Sequence, residues 1–367
     1  MAYSKDDLLD LISLTLNDLP KQQFEVGWTH QKYHACRIYQ EDRMVVDGGV
    51  EIERKVMLSN TGNARYRRYY DTDDPAVGDH MHTIKVPWTR LGTNYSWDDL
   101  EILHQMNSTK GFIRLMKERR IDGLWDLADL IEDRFWKTPT DSTDDLYPYG
   151  VPYFINMLDK DTTTAGFNGK TIRFQDGTTS NVCANINAAT EAKWRNYAFT
   201  YTDINTELLK QIRLALMCTN FSAPSFVEDP SGARRAKNGF FCDFDMVADL
   251  MDFADAADDN HSGKDVMGKM VVDDGANVLI NRTPVTAVPQ LNGATDPETG
   301  DETDPLYYID FTYFQPVIHD GYWMNESEPQ TDRGQHTTFT VFLDGAHQNL
   351  CTNRRQVGFV AHKAITS

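Results

Sequence analysis

The sequence predicts an α+β fold built around a mixed or antiparallel sheet, on three observations. A long helical period runs from Ser96 to Trp136, and the chain is β-rich from Met270 onward. No sustained alternation of strand and helix connects the two, and that alternation is what a parallel α/β sheet requires.

Composition bounds the rest. The 367 residues exceed the usual length of one domain, so two or more subdomains are expected. With 40% hydrophobic and 11% aromatic residues the chain can bury a sizeable core, which excludes a disordered polypeptide. Fifty-five acidic residues against 36 basic ones give a net charge of −19. Such a charge repels nucleic acid at long range and disfavours a dedicated DNA reader. The charge is uneven: 16 acidic and 3 basic residues fall between Phe241 and Asp310, which marks a separate acidic lobe. No stretch approaches the ~18 apolar residues of a membrane span. The opening residues do not read as an export signal, because Asp6, Asp7 and Asp10 interrupt Leu8, Leu9, Leu11 and Ile12. Synthesis in a cytoplasm and no membrane partner are expected. Five dispersed cysteines without a C-x-x-C pattern read as reduced structural thiols.

In chain order, Ser4–Leu19 has the period of an amphipathic helix, with Ser4 and Asp7 in capping-box positions and Leu8, Leu11 and Ile12 on one face. So short a helix needs a surface to dock on, on this chain or on another copy. Residues 41–96 read as a β excursion: Val50, Ile52 and Val56 alternate with Glu51, Glu53 and Arg54, Asn60–Gly62 can turn the chain, and Ile84, Val86 and Trp88 bring it back. Two strands make too few layers to stand alone, so this piece too needs a partner surface. Ser96 is the expected N-cap of the long helix, with Asp98 and Asp99 in its first turn, bends at Gly111 and Gly123, and an end at Pro139. A loop-rich region with an apolar island over Val151–Leu158 follows, then a half-helical stretch around Trp194. Thr202 or Asp203 is expected to cap a helix over Ile204–Cys218, and a strand over Phe240–Phe244 leads into a further helix. Strands are expected at Met270–Val272, Val278–Ile280, Val285–Val288, Tyr307–Phe314, Gln335–Leu343 and Val357–Ala361.

Motifs for chemistry are weak. Gly169-Lys170-Thr171 lacks the upstream glycine of a phosphate loop, since Thr164 stands there. Asp258–Gly263 imitates the start of a calcium loop but places Lys269 at the bidentate position. Asp79, His80 and His82, and the pair His30 and His34, lack a further ligand at useful spacing. No catalytic residue and no cofactor is assigned. Arg65, Tyr66, Arg67, Arg68, Tyr69 and Tyr70 form a basic, aromatic run that suits contact with an acidic protein surface, which the acidic lobe of another copy offers.

Several segments, read together, carry a resemblance. Pro148-Tyr149-Gly150-Val151-Pro152 after the long helix, Trp194-Arg195-Asn196, the strand and helix over Gly239–Phe253, and Asn281-Arg282-Thr283-Pro284-Val285 are similar to segments of one family, although Arg282 stands where its glycine would be. Leu350-Cys351-Thr352-Asn353-Arg354-Arg355-Gln356 leading into a last strand is the strongest match. The order of parts resembles the major capsid proteins of tailed phages, with the Hong Kong-type fold shared by encapsulins and the herpesvirus capsid floor. The resemblance implies an N-terminal arm (1–40), an extended β-hairpin loop (41–96), a peripheral domain with a spine helix (97–199 and 346–367) and an axial domain (200–345).

It further implies self-assembly into pentamers and hexamers of an icosahedral head around double-stranded DNA, touched only weakly and non-specifically. A separate scaffolding protein, a portal and decoration proteins would be further partners, and the virion the location. Inter-subunit contacts are expected from Leu8, Leu11 and Ile12 in the arm, Arg65, Arg67 and Arg68 in the loop, and Arg354 and Arg355 at the last strand, where a planar guanidinium can pin a seam. The alternatives are a soluble α+β enzyme, metal-assisted through Asp79, His80 and His82, and a non-viral compartment shell.

Overall fold

The computed structural model describes residues 27, 29–30, 32–41, 43–72, 76–98, 109–221, 237–258, 270–272, 278–281, 283–331, 334 and 337–366. The helix expected over Ser4–Leu19, with Leu8, Leu11 and Ile12, lies outside the described residues. In chain order the principal elements are α1 (His34–Glu41), β1 (Met44–Val46), β2 (Glu51–Met57), β3 (Met81–Pro87), β4 (Thr89–Asp98), α2 (Thr109–Phe135), β5 (Gly166–Gly169), β6 (Asn196–Tyr201), α3 (Thr206–Thr219), β7 (Asn238–Cys242), α4 (Phe244–Asp258), β8 (Met270–Val272), β9 (Val278–Ile280), β10 (Thr283–Ala287), β11 (Leu306–Asp310), β12 (Phe314–His319), β13 (Thr338–Cys351) and β14 (Gly358–Lys363). The chain divides into two compact units: 1–48, 89–134 and 317–347 in the first, and 49–88, 135–316 and 348–367 in the second.

In the first unit β1 pairs in parallel with the end of β12, and β4 pairs antiparallel with β13 from Thr89↔His347 to Asp98↔Thr338. Ser96 is therefore no helix cap. It lies in β4, where Leu91, Tyr95 and Trp97 are buried at a period of two and bind the segment to the sheet. The cap chemistry of Ser96 and Asp98 yields to that pairing, Asp99 lies outside the described residues, and the described helix begins at Thr109. Gly123 lies within α2, where a Cβ would stand 3.1 Å from the Tyr95 ring, so glycine admits the strand side chain against the helix. Met116, Leu127 and Ile131 are buried along the same helix.

The second unit is built on an eight-stranded sheet in the order β8-β9-β10-β7-β11-β14-β6-β5. Its mixed character is explicit: β6 runs parallel to β14 and β7 parallel to β10, whereas β7–β11 and β11–β14 are antiparallel. Phe199, Phe240 and Phe359 from the sheet pack with Leu208, Leu209 and Ile212 of α3 and Met246 and Leu250 of α4. The cap of α3 is Asn205 and not Thr202 or Asp203: its side-chain oxygen accepts from the N–H groups of Glu207 (2.9 Å) and Leu208 (3.1 Å). Asn205→Ala is expected to lower the stability of this unit by about 1 kcal/mol, read as a shift of the denaturation midpoint.

The strand expected over Tyr307–Phe314 is two strands, β11 and β12, in different sheets. The Asp310 carboxylate accepts from the Thr312 N–H (2.9 Å) and turns the chain between them. The strand expected over Gln335–Leu343 starts at Thr338 and runs on to Cys351. All five cysteines are free thiols, and burial pushes Cys183 up to about 11. Among the described residues no helix is long and apolar enough to cross a membrane.

Candidate functional site

The β excursion is a hairpin whose two strands pair from Glu51↔Pro87 to Met57↔Met81. Met44–Val46 and residues 89–96 of the strand Thr89–Asp98, which the 41–96 boundaries include, belong to the first unit's sheet. At the base, Ile52, Ile84 and Val86 are buried, and the Lys85 N–H donates to the Ala184 carbonyl (3.2 Å) while the Asn185 side-chain amide donates to the Thr83 carbonyl (3.3 Å). The hairpin thus finds part of its buried face on its own unit. Its other face carries Glu51, Glu53 and Lys85, with the ammonium 2.7 Å from Glu53.

The tip differs. Residues 59–72 are exposed almost throughout, and Tyr66, Tyr69 and Tyr70 are 107%, 96% and 104% exposed. Backbone order there is local. The Arg68 N–H donates to the Asp71 carboxylate (2.9 Å), the Arg65 guanidinium to the Thr72 carbonyl, and the Asn63 amide to the Ala76 carbonyl (2.7 Å). Tyr70 stands at φ 68°, which completes a tight turn. Arg65, Arg67 and Arg68 therefore share a shaped, solvent-facing tip with three large aromatic rings. An exposed aromatic and arginine cluster of this kind is the composition of a protein–protein contact.

Arg354 is elsewhere and does other work. It has no exposed surface, and its guanidinium is taken up by its own chain: Nε donates to the Phe154 carbonyl (2.9 Å), Nη1 to the Trp194 carbonyl (3.0 Å), and Nη2 to the side-chain oxygens of Asn196 (3.3 Å) and Asn156. The two asparagines lock together, the Asn156 N–H donating to Asn196 Oδ1 (3.0 Å) and Asn196 Nδ2 to the Asn156 carbonyl (2.8 Å). Arg354, expected at a contact between copies, thus occupies a seam inside the second unit, where full burial leaves no face for a neighbour. Arg355 is half-buried over the Phe167 ring, 3.9 Å from its centroid, and burial lowers its pKa. Sequence reasoning missed Asn156 and the bond of Asn196 to Arg354. The available signal was a lone amide inside the apolar island Val151–Leu158.

The histidine reading finds no centre. His80 Nδ1 lies 2.8 Å from Ser59 Oγ, His82 approaches Glu191 (3.9 Å), and the Asp79 carboxylate accepts from the Met81 N–H. Among the described residues no group of three or more His, Cys, Asp or Glu could hold a metal ion. A cleft of about 300 Å³ opens in the second unit beside Trp136, Met157, Leu291 and Tyr307, and its Arg173 and Asp296 neutralise each other at 2.7 Å.

No protein-family model matches the chain, and no curated protein matches it. A solved structure does. A chain of the cyanophage A-1(L) capsid asymmetric unit aligns over 96% of this chain and 99% of its own, with TM-score 0.58 and 11% identity. The chain has the fold of a phage capsid protein. That agrees with the α+β capsid architecture the sequence resemblance implied. The Myoviridae phage XM1 capsid aligns over 95% of this chain and 97% of its own (TM-score 0.49, 8% identity). Microbacterium phage Oxtober96 aligns over 100% of both (TM-score 0.49, 11% identity).

Proposed function

We propose that this chain is a major capsid protein whose copies form the pentamers and hexamers of an icosahedral phage head around double-stranded DNA. The observation that carries the reading is the capsid fold, which aligns over 96% of this chain. The hairpin tip supports it, because the rings of Tyr66, Tyr69 and Tyr70 stand exposed beside its arginines. In this reading Arg65, Arg67 and Arg68 meet acidic surface on the adjacent copy, Arg355 lies near the last strand, and Leu8, Leu11 and Ile12 dock the 1–40 arm. The division into loop (41–96), peripheral domain (97–199 and 346–367) and axial domain (200–345) belongs to the same reading. A separate scaffolding protein, a portal and decoration proteins would complete the particle, assembled from chains made in the host cytoplasm. The net charge of −19 keeps contact with DNA weak and non-specific.

Expression of the chain, followed by sedimentation and electron microscopy, tests this directly: megadalton shells are expected, and a stable 41.9 kDa monomer under all conditions overturns it. Arg65→Glu, Arg67→Glu and Arg68→Glu combined should cut shell yield at least tenfold, because like charges facing across an interface cost several kcal/mol. The soluble subunit should keep its circular dichroism and melting temperature. Undiminished yield would remove the tip from the interface.

A further inference from the structure

His362 on β14 is buried, and its two partners fix which nitrogen carries the proton. The Leu158 backbone N–H points at Nε2 (3.0 Å), so Nε2 accepts; Nδ1 lies 2.6 Å from the Lys363 carbonyl, which can only accept, so Nδ1 donates. The ring is therefore held neutral in one tautomer. Leu158 is clamped from its other side as well, because its carbonyl accepts from Arg173 Nη2 (2.9 Å). Arg173 in turn is fixed by Asp296 (2.7 Å) and Glu298 (3.6 Å). On either side of Leu158 the chain has independent ties: Asn156 to Asn196, and the Asp161 N–H to the Ile365 carbonyl (3.0 Å).

We propose that His362 is an acid-sensitive latch on the strap formed by residues 157–160, which holds at neutral pH and lets go when Nε2 takes up a proton. Protonation would set an N–H of the ring against the N–H of Leu158, and a bond would become a repulsion. The surrounding charges do not rescue the imidazolium. Arg173, which donates to the Leu158 carbonyl, is positive and opposes a charge on the ring; Asp296 and Glu298 are engaged by it. Lys363 is held by Asp304 and lies 3.7 Å from Glu302, and Asp159 is held by Lys170 at 2.9 Å. Burial, then the Arg173 charge, hold the ring down to about 4, against the opposing pull of the Lys363 carbonyl. The folded value thus lies below the usual 6.5. The latch has its full strength above about pH 6.5 and weakens as pH falls toward 4, because only the open strap binds the proton. Met157 lines the cleft of the second unit, so release of the strap loosens one wall of that cleft.

The test is peptide-resolved hydrogen exchange on the full-length chain at pH 7, 5.5 and 4.5, corrected for intrinsic rates. Protection over 155–162 is expected to fall at least tenfold between pH 7 and 4.5, while peptides of α3 and β7 hold. His362→Gln supplies a neutral acceptor that does not titrate in this range, and it should keep 155–162 protected at pH 4.5. Equal loss in the variant and the unaltered chain, or no loss in either, overturns the latch. Should His362→Gln fail to fold, the unaltered chain decides alone. Loss that begins at 155–162 supports the latch, and simultaneous loss across the whole unit overturns it.

Discussion

Arg354→Met is expected to destabilise the second unit by about 3–5 kcal/mol, without any partner subunit present. Methionine fills a similar volume, so the effect is not a cavity. It comes from the carbonyls of Phe154 and Trp194 and the side-chain oxygen of Asn156, which lose their Arg354 donor in a buried place, whereas Asn196 Oδ1 keeps the Asn156 N–H. A buried acceptor left bare costs about 1–3 kcal/mol, and several are left bare together. Against the 5–15 kcal/mol that holds a typical domain together, this is a large fraction.

The measurement is a urea titration of the unassembled chain, where the midpoint should fall by roughly 1–2 M. Arg354→Lys should recover less than half of the loss, because a point charge on a flexible stem cannot reproduce a planar fork of donors. An unchanged midpoint in the Met variant would return Arg354 to the contact between copies expected from the sequence. The same experiment on Arg355→Met should give a smaller effect, since that side chain rests over the Phe167 ring and keeps some solvent contact.

This pair of arginines shows where sequence reading stops. Asn353-Arg354-Arg355 has the composition of an exposed basic turn as much as of a buried seam, and nothing local distinguishes the two. The distinction is made by Phe154, Asn156 and Trp194, some 160 to 200 residues earlier, which arrive only when the sheet forms. Ser96 failed for the same reason. Its cap chemistry is local and its pairing with Thr340 is not. By contrast the strand was legible, because the alternation of Val50, Ile52 and Val56 with charged residues marks a strand within a short window. The α+β class and the capsid architecture were legible from the order of helices and strands. Burial of the hairpin's base on residues 184–185 of its own chain was not, since those residues lie in a loop-rich stretch without a pattern of its own.

Gly358→Ala is expected to abolish the soluble folded chain. Gly358 opens β14 opposite Ile309 of β11, at φ +147°, and a Cβ there would lie 1.8 Å from the Tyr308 carbonyl oxygen and 2.9 Å from its carbon. Backbone cannot swing aside as a side chain can, so the two strands must part. They are neighbours in the middle of the eight-stranded sheet, and their separation would also undo the stacking of Tyr308 on Phe359 at 5.1 Å. Gly293→Ala is the matched control. Its φ is +64°, yet nothing lies within 4 Å of the added carbon, so it bears backbone strain alone, about 1 kcal/mol. Soluble yield and far-ultraviolet circular dichroism should therefore separate the two alanines completely. If Gly358→Ala folded as well as Gly293→Ala, strand β14 could not approach β11 as closely as this sheet requires, and the arginine seam that β14 extends from would need a different support.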